Sequence, residues 1–256
     1  VYGEPDAPRD LVLYGDSVAM AYLPALRAVL DPEEWRIHVY TAAGCAPADV
    51  PQNRIGGAPY PECPAFRDWA VGRIGQLAPD VLLMASFRYD PALASGATSE
   101  AADAEWREGT RRIHGELAGS AGRTLVLSAP PEAKDPAQCA TRFSTPADCE
   151  TRLAGNHGLR LDLESAAAAE GNPDVEWVDT TPWFCVQERC PAFVGNTPLY
   201  ADAYHLSAAG SLALAPLLTG VLAAIGNGYE YEDMFQWLKT GLAGIPADDC
   251  DELENY

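Results

Sequence analysis

At 256 residues, the chain is long enough to bury a sizeable core and suits one α/β domain with long loops. Its 17 basic and 37 acidic residues give a formal net charge of −20. Such a charge repels phosphate backbones and anionic membrane surfaces, so the composition argues against nucleic acid as a partner.

The first predicted element is a strand that ends in a Gly-Asp-Ser corner. Residues 11–14 are apolar strand formers, and the corner is Gly15-Asp16-Ser17. After the corner the apolar residues recur at helical spacing, and Pro24 predicts a kink in that helix. Ser17 therefore lies at the first turn of a helix, where it is either an ordinary N-cap or a nucleophile beside backbone N–H groups.

The next elements alternate between strands and helices. Strands are predicted at 35–40, 80–85, 123–129 and 175–179, with helices around 66–77, 106–117 and up to 170. This alternation favours a parallel sheet covered by helices, in which active residues gather where the strands end. Ser17, Gly44, residues 86–89 and Pro130 all follow strands, so we expect them at one edge of the sheet.

The end of the chain has two parts. Residues 208–225 carry no charge, but their large side chains form a helical stripe that predicts a packed helix and not a membrane span. Residues 229–256 are acidic and aromatic, with a short helix expected near 232–242. We therefore predict one domain over 1–228 followed by a tail.

Seven cysteines predict three closed loops and an oxidising compartment. Nothing resembles a zinc pattern, because there is no Cys-x-x-Cys pair and only four histidines are present. The local grouping predicts the pairs Cys45 with Cys63, Cys139 with Cys149 and Cys185 with Cys190, leaving Cys250 over. The alternative is that these cysteines are reduced and buried. Disulfides place the chain outside the cytosol.

A second chemical motif, Asp202-x-x-His205, lies on a loop that leads into the last core helix. A serine hydroxyl attacks only when a base takes its proton, and that base must be held by an acid. Asp202 and His205 have the right types and spacing for these roles, although a helix-entry loop with a surface histidine has the same pattern. The other three histidines are expected to be structural or solvent-facing.

Together the two motifs carry a resemblance to a known family. Gly15-Asp16-Ser17-Val18, Gly44 after the second strand, and the Asp202 to Gly210 segment resemble the SGNH or GDSL hydrolase superfamily. Gly44-Cys45-Ala46-Pro47, the pair Cys185 and Cys190, and Tyr200-Ala201-Asp202 are more similar still to the extracytoplasmic SGNH domains fused to integral-membrane sugar O-acyltransferases. The resemblance covers residues 10 to about 225.

This resemblance implies a three-layer α/β/α sandwich with a flavodoxin-like, five-stranded parallel sheet of order 2-1-3-4-5. It implies Ser17 as nucleophile, His205 as general base and Asp202 as the acid that orients it. The backbone N–H groups of Ser17 and Gly44 would form the oxyanion hole. It implies no metal and no cofactor, and Asp16 is not assigned to the triad.

One departure concerns the residues after the third strand. The superfamily usually has an asparagine there as a further oxyanion donor, whereas this chain has Ser86-Phe87-Arg88-Tyr89. Arg88 could replace that donor, bind an acidic or sugar substrate, or be a plain surface arginine. We expect Arg88 and Tyr204 to contact substrate.

Two classes of function follow. The first is an enzyme in which Ser17 accepts an acyl group, often acetyl in this family, and passes it to a hydroxyl of a cell-envelope glycan or glycolipid. A membrane acyltransferase domain in the same full-length chain would then be a partner. Hydrolysis, as in a carbohydrate O-acetylesterase, is the same chemistry with water as acceptor. The second class is a catalytically idle carbohydrate-binding domain.

Overall fold

The computed structural model describes residues 1–226, so the predicted tail helix and Cys250 lie outside the described residues. The described chain separates into two compact units. The first unit comprises Val1–Met20, Pro32–Pro130 and Leu153–Asp179, and the second comprises Ala21–Asp31, Pro131–Arg152 and the described residues from Thr180 on.

The first unit is built on a five-stranded sheet in which all strands run parallel. Its strands are β1 (Arg9–Gly15), β2 (Trp35–Thr41), β3 (Val81–Ala85), β4 (Arg123–Leu127) and β6 (Val175–Val178). The order across the sheet is β2-β1-β3-β4-β6, because the two-residue strand β5 (Thr151–Arg152) is not part of it. Counted within this sheet alone, the order is 2-1-3-4-5, which confirms the sequence prediction.

The helices of the first unit follow the strands as predicted. They are α1 (Ser17–Ala21, whose last residue falls in the second unit), α3 (Glu62–Leu77), α4 (Ser99–Leu117) and α6 (His157–Gly171), with a 3-10 turn at Asp90–Ala92. One face of the sheet packs on α3 and α4 through a core that includes Val12, Tyr14, Leu82, Met84, Ile74 and Ile113. Leu11 and Leu83 are fully buried too, which is why these strands are apolar throughout and do not alternate.

The strand register brings the strand ends into one row. Gly15 pairs with Thr41 of β2 and with Ala85 of β3, and Ala85 pairs with Leu127 of β4. Leu127 in turn pairs with Val178 of β6. The loops after these five strands therefore leave the same edge of the sheet, as the sequence predicts.

The second unit is mostly helical. It contains α2 (Leu23–Val29), α5 (Pro136–Cys139), α7 (Thr181–Phe184), α8 (Ala208–Ala213) and α9 (Ala215–Gly226), the strand β5, and the two-residue strands β7 (Arg189–Cys190), β8 (Phe193–Val194) and β9 (Thr197–Pro198). Helix α2 packs against α8 and α9, and the Ala25 N–H donates to Ser211 Oγ at 3.2 Å.

Two predicted helices are each divided by a proline. The first breaks at Tyr22, between α1 and α2, where Pro24 occupies the first turn of α2. The single helix predicted over 208–225 is instead two, because Pro216 lies at the start of α9 and has no N–H for the preceding turn. None of the helices in the part of the chain described here is both long and apolar enough to cross a membrane.

Three disulfides close the loops that the sequence predicted. Cys45–Cys63, Cys139–Cys149 and Cys185–Cys190 have Cα–Cα distances of 5.5, 5.3 and 4.2 Å. The first closes the loop after β2, and the other two lie in the second unit. All six sulfur atoms are therefore used structurally.

The corner after β1 requires a glycine. Gly15 has a φ of 156°, and a Cβ at this position would lie 1.8 Å from the Ala85 carbonyl oxygen and 2.8 Å from Ala19 Cβ. Both neighbours belong to packed elements, so neither can move away cheaply. The first and third strands thus approach so closely at this edge that only glycine fits.

We expect Gly15→Ala to lower the free energy of unfolding by about 3 kcal/mol or more, since the added methyl group clashes with backbone. Gly72→Ala, within α3 and with no atom within 4 Å of the new Cβ, is the matched control. It should be neutral or stabilising by up to about 1 kcal/mol. Denaturant unfolding measures both, and equal effects of the two changes would contradict the packing argument.

Candidate active site

Asp16, and not Ser17, caps the helix at the Gly-Asp-Ser corner. The Asp16 side chain is 4 % exposed, and its Oδ1 accepts the Val18 N–H at 2.8 Å. Its Oδ2 accepts the Phe87 N–H, from the loop after β3, at 2.9 Å. Ser17 is the first residue of α1. The capping role that the sequence left open for Ser17 is thus filled by its neighbour.

The loop with Gly44 is held close to this corner. The Ala42 N–H donates to the Gly15 carbonyl oxygen at 3.2 Å, and the Cys45 N–H donates back to Ala42 at 3.0 Å. Gly44 lies between them with a φ of 68°, in the left-handed region that favours glycine. Within residues 1–226 no acceptor takes the Gly44 N–H, so it is available to a ligand.

Two further devices fix the Gly44 loop. The Cys45–Cys63 disulfide joins it to the first turn of α3. The guanidinium of Arg67, on the same helix and 4 % exposed, donates to the Ala48 carbonyl and, at 2.9 Å, to that of Val50. These contacts make the loop a rigid support for Gly44.

Arg88 is occupied by carboxylates. Its side chain is 8 % exposed, its Nε donates to Asp90 Oδ1 at 2.7 Å, and another nitrogen donates to Asp103. A third nitrogen lies 3.6 Å from Glu164 of α6. Arg160 approaches the other Asp90 oxygen at 2.7 Å. These partners give Arg88 a structural role beside Phe87 and do not favour the substrate contact predicted for it, because each edge of the guanidinium already faces a carboxylate.

A small cavity of about 50 Å³ adjoins this cluster. It is lined by Arg88, Glu164, Trp106 and His114, together with residues at the ends of β3 and β4. Burial raises the pKa of Glu164 to about 7, against the attraction of Arg88, and burial lowers the pKa of His114 to about 4. Glu164 is therefore the carboxyl of this cluster that titrates near neutral pH.

The raised pKa of Glu164 predicts a pH effect of known sign. The folded chain holds this proton more tightly than the unfolded chain, where the ordinary value is 4.5, so stabilisation present below pH 4.5 is lost as the pH rises through 7. Between pH 5 and 8 the free energy of unfolding should fall by on the order of 3 kcal/mol more in the wild type than in Glu164→Gln.

Glu170→Gln, which changes an exposed carboxylate on the same helix, is the control. Urea unfolding at each pH gives the free energies. Parallel pH curves for the wild type and Glu164→Gln would contradict the raised pKa.

Asp202 and His205 are brought together as predicted. His205 Nδ1 lies 2.8 Å from Asp202 Oδ2 and 3.0 Å from Oδ1. Asp202 Oδ1 also accepts the backbone N–H groups of Tyr204 and His205, each at 2.8 Å. Burial by itself raises the pKa of Asp202, but these N–H groups and the His205 ring outweigh it and hold that pKa below the usual 3.8. An ionised Asp202 can therefore fix the Nδ1–H tautomer of the ring.

The segment around this pair is tightly folded. The Ala201 N–H donates to the His205 carbonyl at 2.8 Å, and buried Tyr200 donates its hydroxyl to the Pro131 carbonyl at 3.0 Å. Ser207 Oγ caps α8 by accepting the Gly210 N–H at 2.8 Å. Gly210 has no substitute, since a Cβ there would lie 2.1 Å from the Leu199 carbonyl oxygen.

The predicted site residues fall into two groups, each described by itself. Ser17, Gly44 and Arg88 belong to the first unit, while Asp202, Tyr204 and His205 belong to the second. Tyr204 is 38 % exposed, and its substrate contact stays a prediction.

The sequence did not point to the bond between Asp16 and Phe87, or to the carboxylates around Arg88. Its only signal was Asp90, two residues after Arg88. Among residues 1–226 no cluster of three His, Cys, Asp or Glu side chains could hold a metal ion.

A serine at the corner after the first strand of a parallel α/β sheet, with a histidine–aspartate pair near the last core helix, defines the class of SGNH-type acyltransferases and esterases. The family comparison places the chain within that class. Residues 1–220 match the family described as the SGNH domain fused to AT3 domains, and the chain belongs to this family. The predicted resemblance is thereby confirmed.

Solved structures share the fold. The periplasmic domain of a lipopolysaccharide acetyltransferase from Salmonella ser. Paratyphi A has a TM-score of 0.63 and 16 % identity, covering 86 % of this chain and 83 % of that one. A variant acetylxylan esterase from Geobacillus stearothermophilus has a TM-score of 0.48 and 16 % identity over 88 % of this chain and 96 % of the other.

Among curated proteins, a match of a different kind is a component of an ATP-dependent helicase/deoxyribonuclease from Alkaliphilus oremlandii. It is 38 % identical over 60 residues, which are 22 % of this chain. The chain spans only 5 % of the length of that relative, so the match carries no functional argument.

Proposed function

We propose that the chain is a serine-dependent O-acyltransferase that forms an acyl-Ser17 intermediate and passes the acyl group, most simply acetyl, to a hydroxyl of a cell-envelope glycan or glycolipid. The observation that carries this proposal is the Asp202–His205 pair, which belongs to a chain of the SGNH family with a serine at the first helix turn.

Each proposed catalytic role has physical support. Ser17 follows a corner that Gly15 and Asp16 fix rigidly, and Asp16 frees the serine from capping. His205 is the base, because its Nδ1 is engaged by Asp202 and its Nε2 can then take the serine proton. Asp202 remains ionised and stabilises the imidazolium that forms.

In the proposed reaction, Ser17 Oγ attacks the carbonyl carbon of an acyl ester or thioester, and its proton moves to His205. The tetrahedral intermediate collapses, and the leaving group departs with that proton. The acceptor hydroxyl then attacks the acyl-serine, gives its proton to His205, and releases Ser17 with the proton returned to it.

The oxyanion hole is proposed to consist of the backbone N–H groups of Ser17 and Gly44. The support is the rigid Gly44 loop and the unoccupied Gly44 N–H. Loss of a donor from such a site costs about 3 kcal/mol of transition-state stabilisation. The Gly44 loop therefore carries more of this task than it would if an asparagine followed β3.

The family favours transfer over hydrolysis. SGNH domains of this family are fused to AT3 domains, and a structural neighbour is a lipopolysaccharide acetyltransferase domain. We therefore propose that an AT3 acyltransferase domain in the same full-length chain supplies the acyl group. The three disulfides support an extracytoplasmic location for the domain described here.

A fluorophosphonate probe tests the nucleophile. We expect one adduct at Ser17, identified by peptide mass spectrometry, and no adduct in Ser17→Ala. His205→Ala should slow labelling by about 10² to 10⁴-fold, because the base is lost.

Ser86→Ala changes another serine that follows a strand end, and it should label like the wild type. An unlabelled wild-type chain would instead favour the catalytically idle carbohydrate-binding domain.

Acceptor dependence separates transfer from hydrolysis. With an acetyl-ester donor, we expect acetylated glycan to form faster than free acetate once candidate glycans are present, and both products to vanish in Ser17→Ala. Product analysis by mass spectrometry measures the ratio. Acetate release that glycans neither divert nor accelerate would identify an esterase.

A further inference from the structure

A surface depression in the second unit has the composition of a sugar site. It has a volume of about 620 Å³ and is formed by the loop that the Cys139–Cys149 disulfide closes. Its lining includes Lys134, Asp135, Gln138 and Phe143, and we call it the Phe143 pocket. This volume is in the range of pockets that hold small molecules.

The pocket presents an aromatic face. Phe143 is 86 % exposed, although its loop is covalently closed and could have turned the ring inward. The Arg142 guanidinium lies over the ring at 5.2 Å from its centroid, so it covers at most one of the two faces. The electron-rich face of an aromatic ring attracts the weakly positive C–H groups of a pyranose, and stacking also removes apolar surface from water.

The rim of the pocket has both donors and acceptors. Lys134 uses one of its three protons on the Asp148 carbonyl at 2.7 Å, and Asp135 accepts the Gln138 side-chain N–H at 3.0 Å. Gln138 keeps a carbonyl oxygen for another partner. Lys134 and Arg142 balance the two carboxylates, so the pocket suits neutral hydroxyl groups, which both donate and accept, better than an anion.

The pocket is linked to the general base proposed above. The Ala133 N–H, directly before Lys134, donates to the Ala203 carbonyl at 2.9 Å, between Asp202 and His205. Two residues earlier, Pro131 accepts the Tyr200 hydroxyl. The base of this loop is also closed by Thr151, whose hydroxyl donates to the Glu132 carbonyl at 3.0 Å. The pocket and the histidine therefore share one hydrogen-bonded support within the second unit.

We propose that the Phe143 pocket is the acceptor subsite, where a neutral sugar residue of the glycan stacks on Phe143 while a nearby hydroxyl is acylated. This inference rests on the proposed acyl transfer. It assigns recognition of the acceptor to a loop that contributes no catalytic group.

Phe143→Ala should raise the KM for the glycan acceptor about tenfold and leave hydrolysis of a small acetyl ester unchanged, because only the stacking surface is removed. Phe143→Tyr keeps the ring face and should retain the wild-type KM. Val186→Ala changes an equally exposed apolar side chain in another disulfide-closed loop of the same unit and is the matched control.

Direct binding is measured on an array of neutral and anionic oligosaccharides with the wild type and the same variants. Binding of neutral members that is lost in Phe143→Ala alone supports the proposal. Binding that is confined to anionic members, equal in Phe143→Ala, or absent altogether overturns it.

Fluorophosphonate labelling of Ser17 keeps the two proposals apart. Normal labelling with an unchanged acceptor KM in Phe143→Ala refutes the subsite alone. Loss of labelling in the wild type refutes the acyl-transfer proposal on which the subsite depends. Unfolding temperatures that match the wild type show that each variant is folded.

Discussion

The buried carboxylate of Asp16 is the contact on which the corner after β1 depends. With one oxygen it caps α1 through Val18, and with the other it binds the Phe87 N–H in the loop after β3. A buried carboxylate is stable only when its oxygens are hydrogen-bonded, so both backbone segments are held in place together. Gly15 permits this arrangement, because no side chain could fit between the two strand ends.

Charge is used differently inside the first unit than on its surface. The chain is strongly acidic, yet its buried arginines are placed where they hold loops: Arg67 binds carbonyl groups of the Gly44 loop, and Arg88 binds carboxylates from three segments. Arginine suits both positions, because its planar group binds several oxygens at once and stays charged when buried. The loops that leave the catalytic edge of the sheet are thus rigid without being part of a regular element.

The second unit provides what the proposed chemistry needs besides a nucleophile. Its Asp202–His205 pair is positioned by backbone N–H groups, and the disulfide-closed loop with Phe143 is tied to the same segment through Ala133. Transfer requires that an acceptor hydroxyl be bound in preference to water. A stacking surface beside the base would supply that preference, so the acceptor pocket and the choice of transfer over hydrolysis belong to one argument.

The sequence by itself determined the sheet order, the disulfide pairs, the Asp202–His205 pair and the family, because these follow from local apolar runs, short cysteine spacings and motifs within a few residues. It could not determine that 208–225 forms two helices, since a helical stripe outweighed Pro216 in the pattern. Only the tertiary structure decided that Asp16 binds Phe87 and that Arg88 faces Asp90, Asp103 and Glu164. These contacts join residues up to 76 positions apart, and no local spacing encodes them. Their existence depends on the register that aligns Gly15 with Ala85.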